Sequence, residues 1–181
     1  MLLYCIMEQR DLLTNIQQLQ NNYYDENNGK NILFKKKQKD DCANQVSQQV
    51  GLDNLLQYSV YILNDNEIHI DYTVLKTFIN PSNYTNIIDY IIYVMQYTLE
   101  KTPTFSIIIN LDTLTITALE RYRILIVQFC ESTTEHEFSS KLIKLVINNS
   151  PSFIKTTMQT FGSIIPDNVY KKISITAKPK K

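Results

Sequence analysis

The sequence predicts one α/β domain over about residues 55–177, a single mostly parallel sheet with helices packed on it. Three observations carry that prediction. From Tyr58 onward, strand-like and helix-like patterns alternate, the order that yields parallel strands joined by right-handed crossovers. The run Phe105-Ser-Ile-Ile-Ile-Asn-Leu111 is short, apolar and β-branched, as befits a central strand covered on both faces. Pro, Thr and Asp stand where helices start.

Taken in order, residues 1–20 place Leu2, Ile6, Leu12, Leu13, Ile16 and Leu19 at helical spacing, so one amphipathic helix is expected. Residues 21–49 are polar and weakly periodic and read as a linker loop with a short helix near its end, making 1–54 an amino-terminal helix plus linker. Ser59–Leu63 and Ile68–Thr77 flank the turn-forming Asn64-Asp-Asn66 and read as a strand pair or a bent strand. After Pro81, Ile87, Ile88, Ile91, Met95 and Leu99 follow the 3.6-residue period of a buried helix over 82–101. Strand 104–111 follows Pro103. Thr117-Ala-Leu-Glu120 has capping-box spacing for a helix to Glu131 that buries Leu119, Tyr122, Ile126 and Phe129. Lys141–Asn148 is the next strand. Ser150 then caps a helix with Pro151 at its first position, Asp167 caps a last turn, and 173–176 closes as a strand.

Composition excludes several functions. With 18 basic and 18 acidic residues among 181, the net charge is zero, so bulk charge does not hold nucleic acid. Glycine occurs only at 29, 51 and 162, leaving no glycine-rich loop to bring backbone amides against a phosphate. Cys5, Cys42 and Cys130 form no CxxC pair, and with only His69 and His136 no metal-ligand spacing exists. No metal and no cofactor are expected. His69, between Ile68 and Ile70, reads as pointing away from both, His136 as a surface histidine between two glutamates, and Cys130 as a packed thiol. No catalytic residue is assigned. No secretory signal is read in Met1–Arg10, and the setting expected is reducing and cytoplasmic. Many Asn, Ile and Tyr residues, and Lys far above Arg, form the pattern of codon bias in an A/T-rich genome, as in large DNA viruses or protists. Phe34 with Lys35, Lys36, Lys37 and Lys39 offers a membrane-surface patch, but Asp40-Asp41 offset it and a solvated loop is the reading adopted. Lys178-Pro-Lys-Lys181 is read as a frayed basic tail.

Two stretches carry a resemblance. Lys144-Leu-Val-Ile-Asn-Asn-Ser-Pro-Ser-Phe-Ile154, then Phe161-Gly-Ser-Ile-Ile165 and Lys171-Lys-Ile173, give an apolar strand, an Asn-small-Pro turn, an aromatic-bearing helix, an apolar stop and a Lys-Ile strand opening. Ile107-Ile-Ile-Asn-Leu-Asp-Thr-Leu-Thr115 gives a strand ending in a short loop. Over about 58–176 the chain resembles the CRAL-TRIO lipid-binding family. The resemblance implies that helix 151–165 is a movable gate over an apolar cavity floored by the sheet. Phe153, Ile154, Met158, Phe161, Ile164 and Ile165 would face the ligand, and Asn149 and Pro151 would form the structural turn. Three departures stand out. Asn110 occupies a position where the family usually has an acid. The usual helical subdomain is reduced to residues 1–20 and a loop, and the family's helix and Gly-bearing segment after the last strand have no counterpart before Lys181. No basic residue matches the family's inositol-phosphate contacts, so phosphoinositide specificity is not implied.

Two function classes follow. The first is non-catalytic lipid binding or transfer, with a hydrophobic lipid ligand and peripheral membrane contact. The second is a protein-interaction module whose pocket has collapsed, its apolar surface covered by a protein partner or a homodimer. A regulatory fold of the anti-sigma-factor-antagonist type is a further alternative.

Overall fold

The computed structural model describes residues 2–27, 35–134, 136–161 and 164–177. The amino-terminal part is more helical than its composition implies. Helix α1 (Leu2–Glu26) runs past Gln20, and helix α2 (Lys35–Val50) fills most of the stretch expected to be a loop. The cause is a narrow apolar stripe: Cys42, Ala43 and Val46 are buried along with Ile16 of α1. So few apolar positions among Lys, Gln and Asn give a faint period, and tertiary packing supplies most of the stability.

Gly51 (φ 89) sits in the left-handed region and turns the chain from α2 into helix α3 (Leu52–Ser59), so Ser59 ends a helix rather than opening a strand. Strands β1 (Val60–Leu63) and β2 (Glu67–Asp71) form an antiparallel hairpin. Its turn holds Asn64 and Asp65 at φ 53 and 60, a region those two residue types tolerate. The strand expected to reach Thr77 stops at Asp71. The Asp71 carboxylate accepts hydrogen bonds from the Thr73 amide at 2.7 Å and the Thr73 hydroxyl at 2.6 Å, capping the helical turn α4 (Tyr72–Leu75).

A 3-10 turn, Pro81–Asn83, carries a reciprocal Asn80–Asn83 capping box and leads into α5 (Tyr84–Lys101), whose Ile87, Ile88, Ile91 and Met95 are buried. Strand β3 (Phe105–Asn110) follows as expected. The helix expected over 117–131 is two, α6 (Ile116–Arg121) and α7 (Arg123–Thr134), broken at Tyr122. Thr115, rather than Thr117, is the cap: its side chain accepts from the Ala118 amide at 3.2 Å. Helix α8 (Phe138–Lys141) precedes β4 (Leu142–Ser150). Ser150 stays in the strand, and α9 (Ile154–Phe161) starts after a turn in which the Pro151 carbonyl accepts from the Ile154 amide at 3.1 Å. Pro166 stands at the N-cap position of α10 (Asp167–Tyr170) with no side-chain capping bond, and Asp167, expected to be the cap, is the first helical residue, before β5 (Ile173–Ala177).

The sheet runs β1-β2-β3-β4-β5, with the first pair antiparallel and the other three parallel. The expected mostly parallel architecture is what the chain adopts. Because spatial order follows chain order, right-handed crossovers return every connecting helix to the same face. That face carries Ile68, Ile70, Ile107, Ile109, Leu145 and Ile147 in register. The opposite face carries a cross-strand row, Tyr61, His69, Ile108, Val146 and Ser174. Ile108 there is only half-buried, so β3 is not covered evenly on both faces as its composition led one to expect.

Candidate functional site

Between the helices and the sheet lies a cavity of about 550 Å³. Its floor is Ile70, Ile107, Ile109 and Ile147, whose alternate spacing along β2, β3 and β4 turns them to one side. One wall is α5, through Ile87, Ile91 and Met95 at i, i+4 and i+8. The opposing wall is α7, through Ile126 and Phe129. These two were expected to be core but are half-buried, since they border the cavity. Ile154 and Met158 of α9, with Ile165 and Val169, complete the lining.

The residues singled out from the sequence divide as follows. Ile154 is buried and lines the cavity, and half-buried Met158 and Ile165 line it too. Phe153 and Ile164 are half-buried and pack against the core. The Phe161 side chain, Gly162, Phe34 and the tail 178–181 lie outside the described residues. Asn149 adopts φ 52, and its amide donates to the Asn110 side-chain oxygen at 2.9 Å. Pro151 begins the turn before α9, its carbonyl also taking the Ser150 hydroxyl at 3.2 Å.

Sequence reasoning missed the polar end of the cavity, where Thr133, Thr134, His136, Ser139 and Asn168 converge. Only His136 carried a signal, and its flanking glutamates pointed to solvent. Its ring instead lies 4.9 Å from that of Phe138. Cys130 also lines the cavity, and burial pushes its thiol up, away from thiolate chemistry. Burial likewise raises the phenols of Tyr72 and Tyr122 at the far end. His69 points away from this cavity onto the opposite sheet face. Among the described residues, no group of His, Cys, Asp or Glu could hold a metal ion, and no helix is long and apolar enough to cross a membrane.

A model of the CRAL/TRIO domain family matches residues 66–181, from the end of the β1–β2 turn onward. The chain belongs to the CRAL/TRIO family. CRAL/TRIO domains generally bind hydrophobic lipid ligands and are generally non-catalytic. No curated protein matches the chain. The match takes in β2 through β5 and every cavity wall of the CRAL/TRIO unit, and leaves out α1, α2, α3 and β1.

Proposed function

We propose that this chain is a non-catalytic lipid-binding or lipid-transfer domain that holds a hydrophobic ligand between the sheet and α9, with residues 151–165 acting as a movable cover. The observation that carries the reading is the cavity itself. Its volume of about 550 Å³ falls within the range of ligand pockets, and no described lining residue is Lys, Arg, Asp or Glu. An empty apolar space of that size forfeits packing contacts, so a ligand that fills it gains them. Phe153, Ile154, Met158, Phe161, Ile164 and Ile165 are the proposed contacts from the cover, and Asn149 with Pro151 its fixed end. Residues 55–177 form the functional unit, with 1–54 as an amino-terminal helical segment and 178–181 as a basic tail. Peripheral contact with a membrane supplies or receives the ligand. A cytoplasmic setting is supported by Cys42 and Cys130, which remain free thiols.

Native mass spectrometry of the protein purified without detergent tests this directly. A complex heavier than the chain by the mass of a lipid is expected. Lipid-free protein bound to a second copy or to another protein would instead favour the interaction module with a collapsed pocket.

A further inference from the structure

Two cations converge on a second, smaller cavity of about 270 Å³ that shares no lining residue with the apolar one. It lies at the seam between the amino-terminal helices and the sheet unit. Lys36 of α2 lines one side, and Arg121 of α6 with Ile124 and Gln128 of α7 lines another. Tyr84 and Thr85 of α5 complete it. The break between α6 and α7 aims consecutive residues at different spaces: Tyr122 turns into the apolar cavity and Arg121 into this one.

The fold neutralises this pair only in part. Among the described residues the one ion pair joins Lys144 to Glu67, so neither Lys36 nor Arg121 has a carboxylate at ion-pair distance. Asp40, one turn after Lys36, is the acid whose charge reaches the site, acting on the phenols of Tyr84 and Tyr122. Arg121 lies among the phenols of Tyr72, Tyr84 and Tyr122; burial raises all three despite its charge, so they stay neutral and do not cancel it. The cavity is left net positive, with two like charges that repel until an anion enters.

We propose that this cavity binds a phosphate monoester through Lys36 and Arg121, with the ester group laid against Tyr84 and Ile124. Three features select that chemistry. First, the terminal phosphate oxygens match a guanidinium fork and an ammonium, and the Thr85 hydroxyl and Gln128 amide supply further donors. A monoester also brings roughly two negative charges at neutral pH, where a carboxylate brings one. Second, Ile124 is 62% exposed on α7, an apolar shelf beside Arg121 that a bare inorganic anion would leave uncovered. Third, at about 30 Å³ for an atom the size of a water, the cavity holds on the order of ten non-hydrogen atoms, a phosphate group with a small ring or a glycerol fragment. The site does not depend on the lipid-binding reading. Lys36 stands outside residues 66–181, so this chain's own amino-terminal helices, not the family-matched unit alone, assemble it.

Calorimetric titration of the full chain at pH 8 with phenyl phosphate, phenyl sulfate and inorganic phosphate tests the site. Phenyl phosphate should bind about tenfold more tightly than either, since the sulfate lacks one charge and the inorganic ion lacks the ring. Lys36→Gln, at an exposed site, and Arg121→Gln should each weaken it about tenfold, and Arg121→Lys should recover only part, because an ammonium lacks the fork. Asp40→Asn removes the opposing charge and should tighten binding roughly threefold. Co-sedimentation with phosphatidylcholine vesicles, with and without phosphatidic acid, identifies the source of the phosphate. Sedimentation that needs both phosphatidic acid and Lys36 means a lipid headgroup, and phenyl phosphate binding without sedimentation means a soluble ester. Absence of both would overturn the proposal, as would binding that persists unchanged in Lys36→Gln. Equal affinity for phenyl sulfate would overturn the choice of a phosphate monoester.

Discussion

The side-chain amide of Asn149 donates to the side-chain oxygen of Asn110 at 2.9 Å, and the Asn110 amide donates in turn to Asp71 at 3.3 Å. Three neighbouring parallel strands are thereby tied together at their carboxyl ends, and Asn149 is held at φ 52. The amide at 110 also explains the departure from the family's usual acid, since a carboxylate there would face that of Asp71.

Asn110→Asp should therefore destabilise the fold by about 1–3 kcal/mol, the cost of losing a half-buried donor. Adding Asp71→Asn should recover part of the loss, with a coupling of at least about 0.5 kcal/mol in urea denaturation. Additive effects of the two substitutions would show that the strand ends are not coupled.

His69 stacks on Tyr61 with ring centroids 5.4 Å apart and planes 11° from parallel, and its Nε2 is buried without a hydrogen-bond partner among the described residues. Burial pushes its pKa below the ordinary value, the Glu67 carboxylate opposing only in part. A depressed histidine pKa means that the unfolded chain takes up the proton more readily. Stability is complete above about pH 6.5, the unfolded value, and is lost as pH falls toward and through the lower folded value. His69→Phe keeps the stack and removes the titration, so its urea midpoint should change less than that of the parent between pH 7.5 and 5. Parallel curves for the two proteins would refute the assignment.

How far these features were legible in the sequence depends on how many apolar residues signalled each one. Helix α5 was legible because Ile87, Ile91 and Met95 recur at one period over a long stretch, and strand β3 because Ile107, Ile108 and Ile109 form a short unbroken β-branched run. Helix α2 was not, since three small buried residues, Cys42, Ala43 and Val46, carry its packing. The turn α4 was hidden by β-branched Thr73 and Val74, which read as strand until the Asp71 side chain captured the Thr73 amide. At the site, Ile154 and Met158 were visible as an apolar helix face. The polar end was not, because Thr133, Thr134, His136 and Ser139 sit in one polar stretch that reads as a surface loop, and only the fold brings Asn168 to the same cavity.

Met158→Asp places a charge against an apolar cavity and should weaken lipid retention roughly thirtyfold or more, equivalent to about 2 kcal/mol. Met158→Leu should retain binding, and both variants should keep the parent circular dichroism. Loss of folding in the aspartate variant, with normal binding in the leucine variant, would mark Met158 as core.

Hydrogen exchange separates a cover from fixed core. Amides of residues 154–161 should exchange faster than those of Ile107–Leu111 in lipid-free protein and slow on addition of ligand. Equal protection of the two segments with and without lipid would mean that α9 does not open.

Strand order has one more consequence, for how the chain is made. Each strand from β2 to β5 joins the edge left by the one before it, so no later strand must insert between two already paired. The sheet can grow in the direction of synthesis, one parallel strand at a time, although each closure spans a long crossover and is correspondingly slow. Helix α9 emerges after the floor and both walls, which leaves the cavity open to the surroundings for as long as its last side remains untranslated.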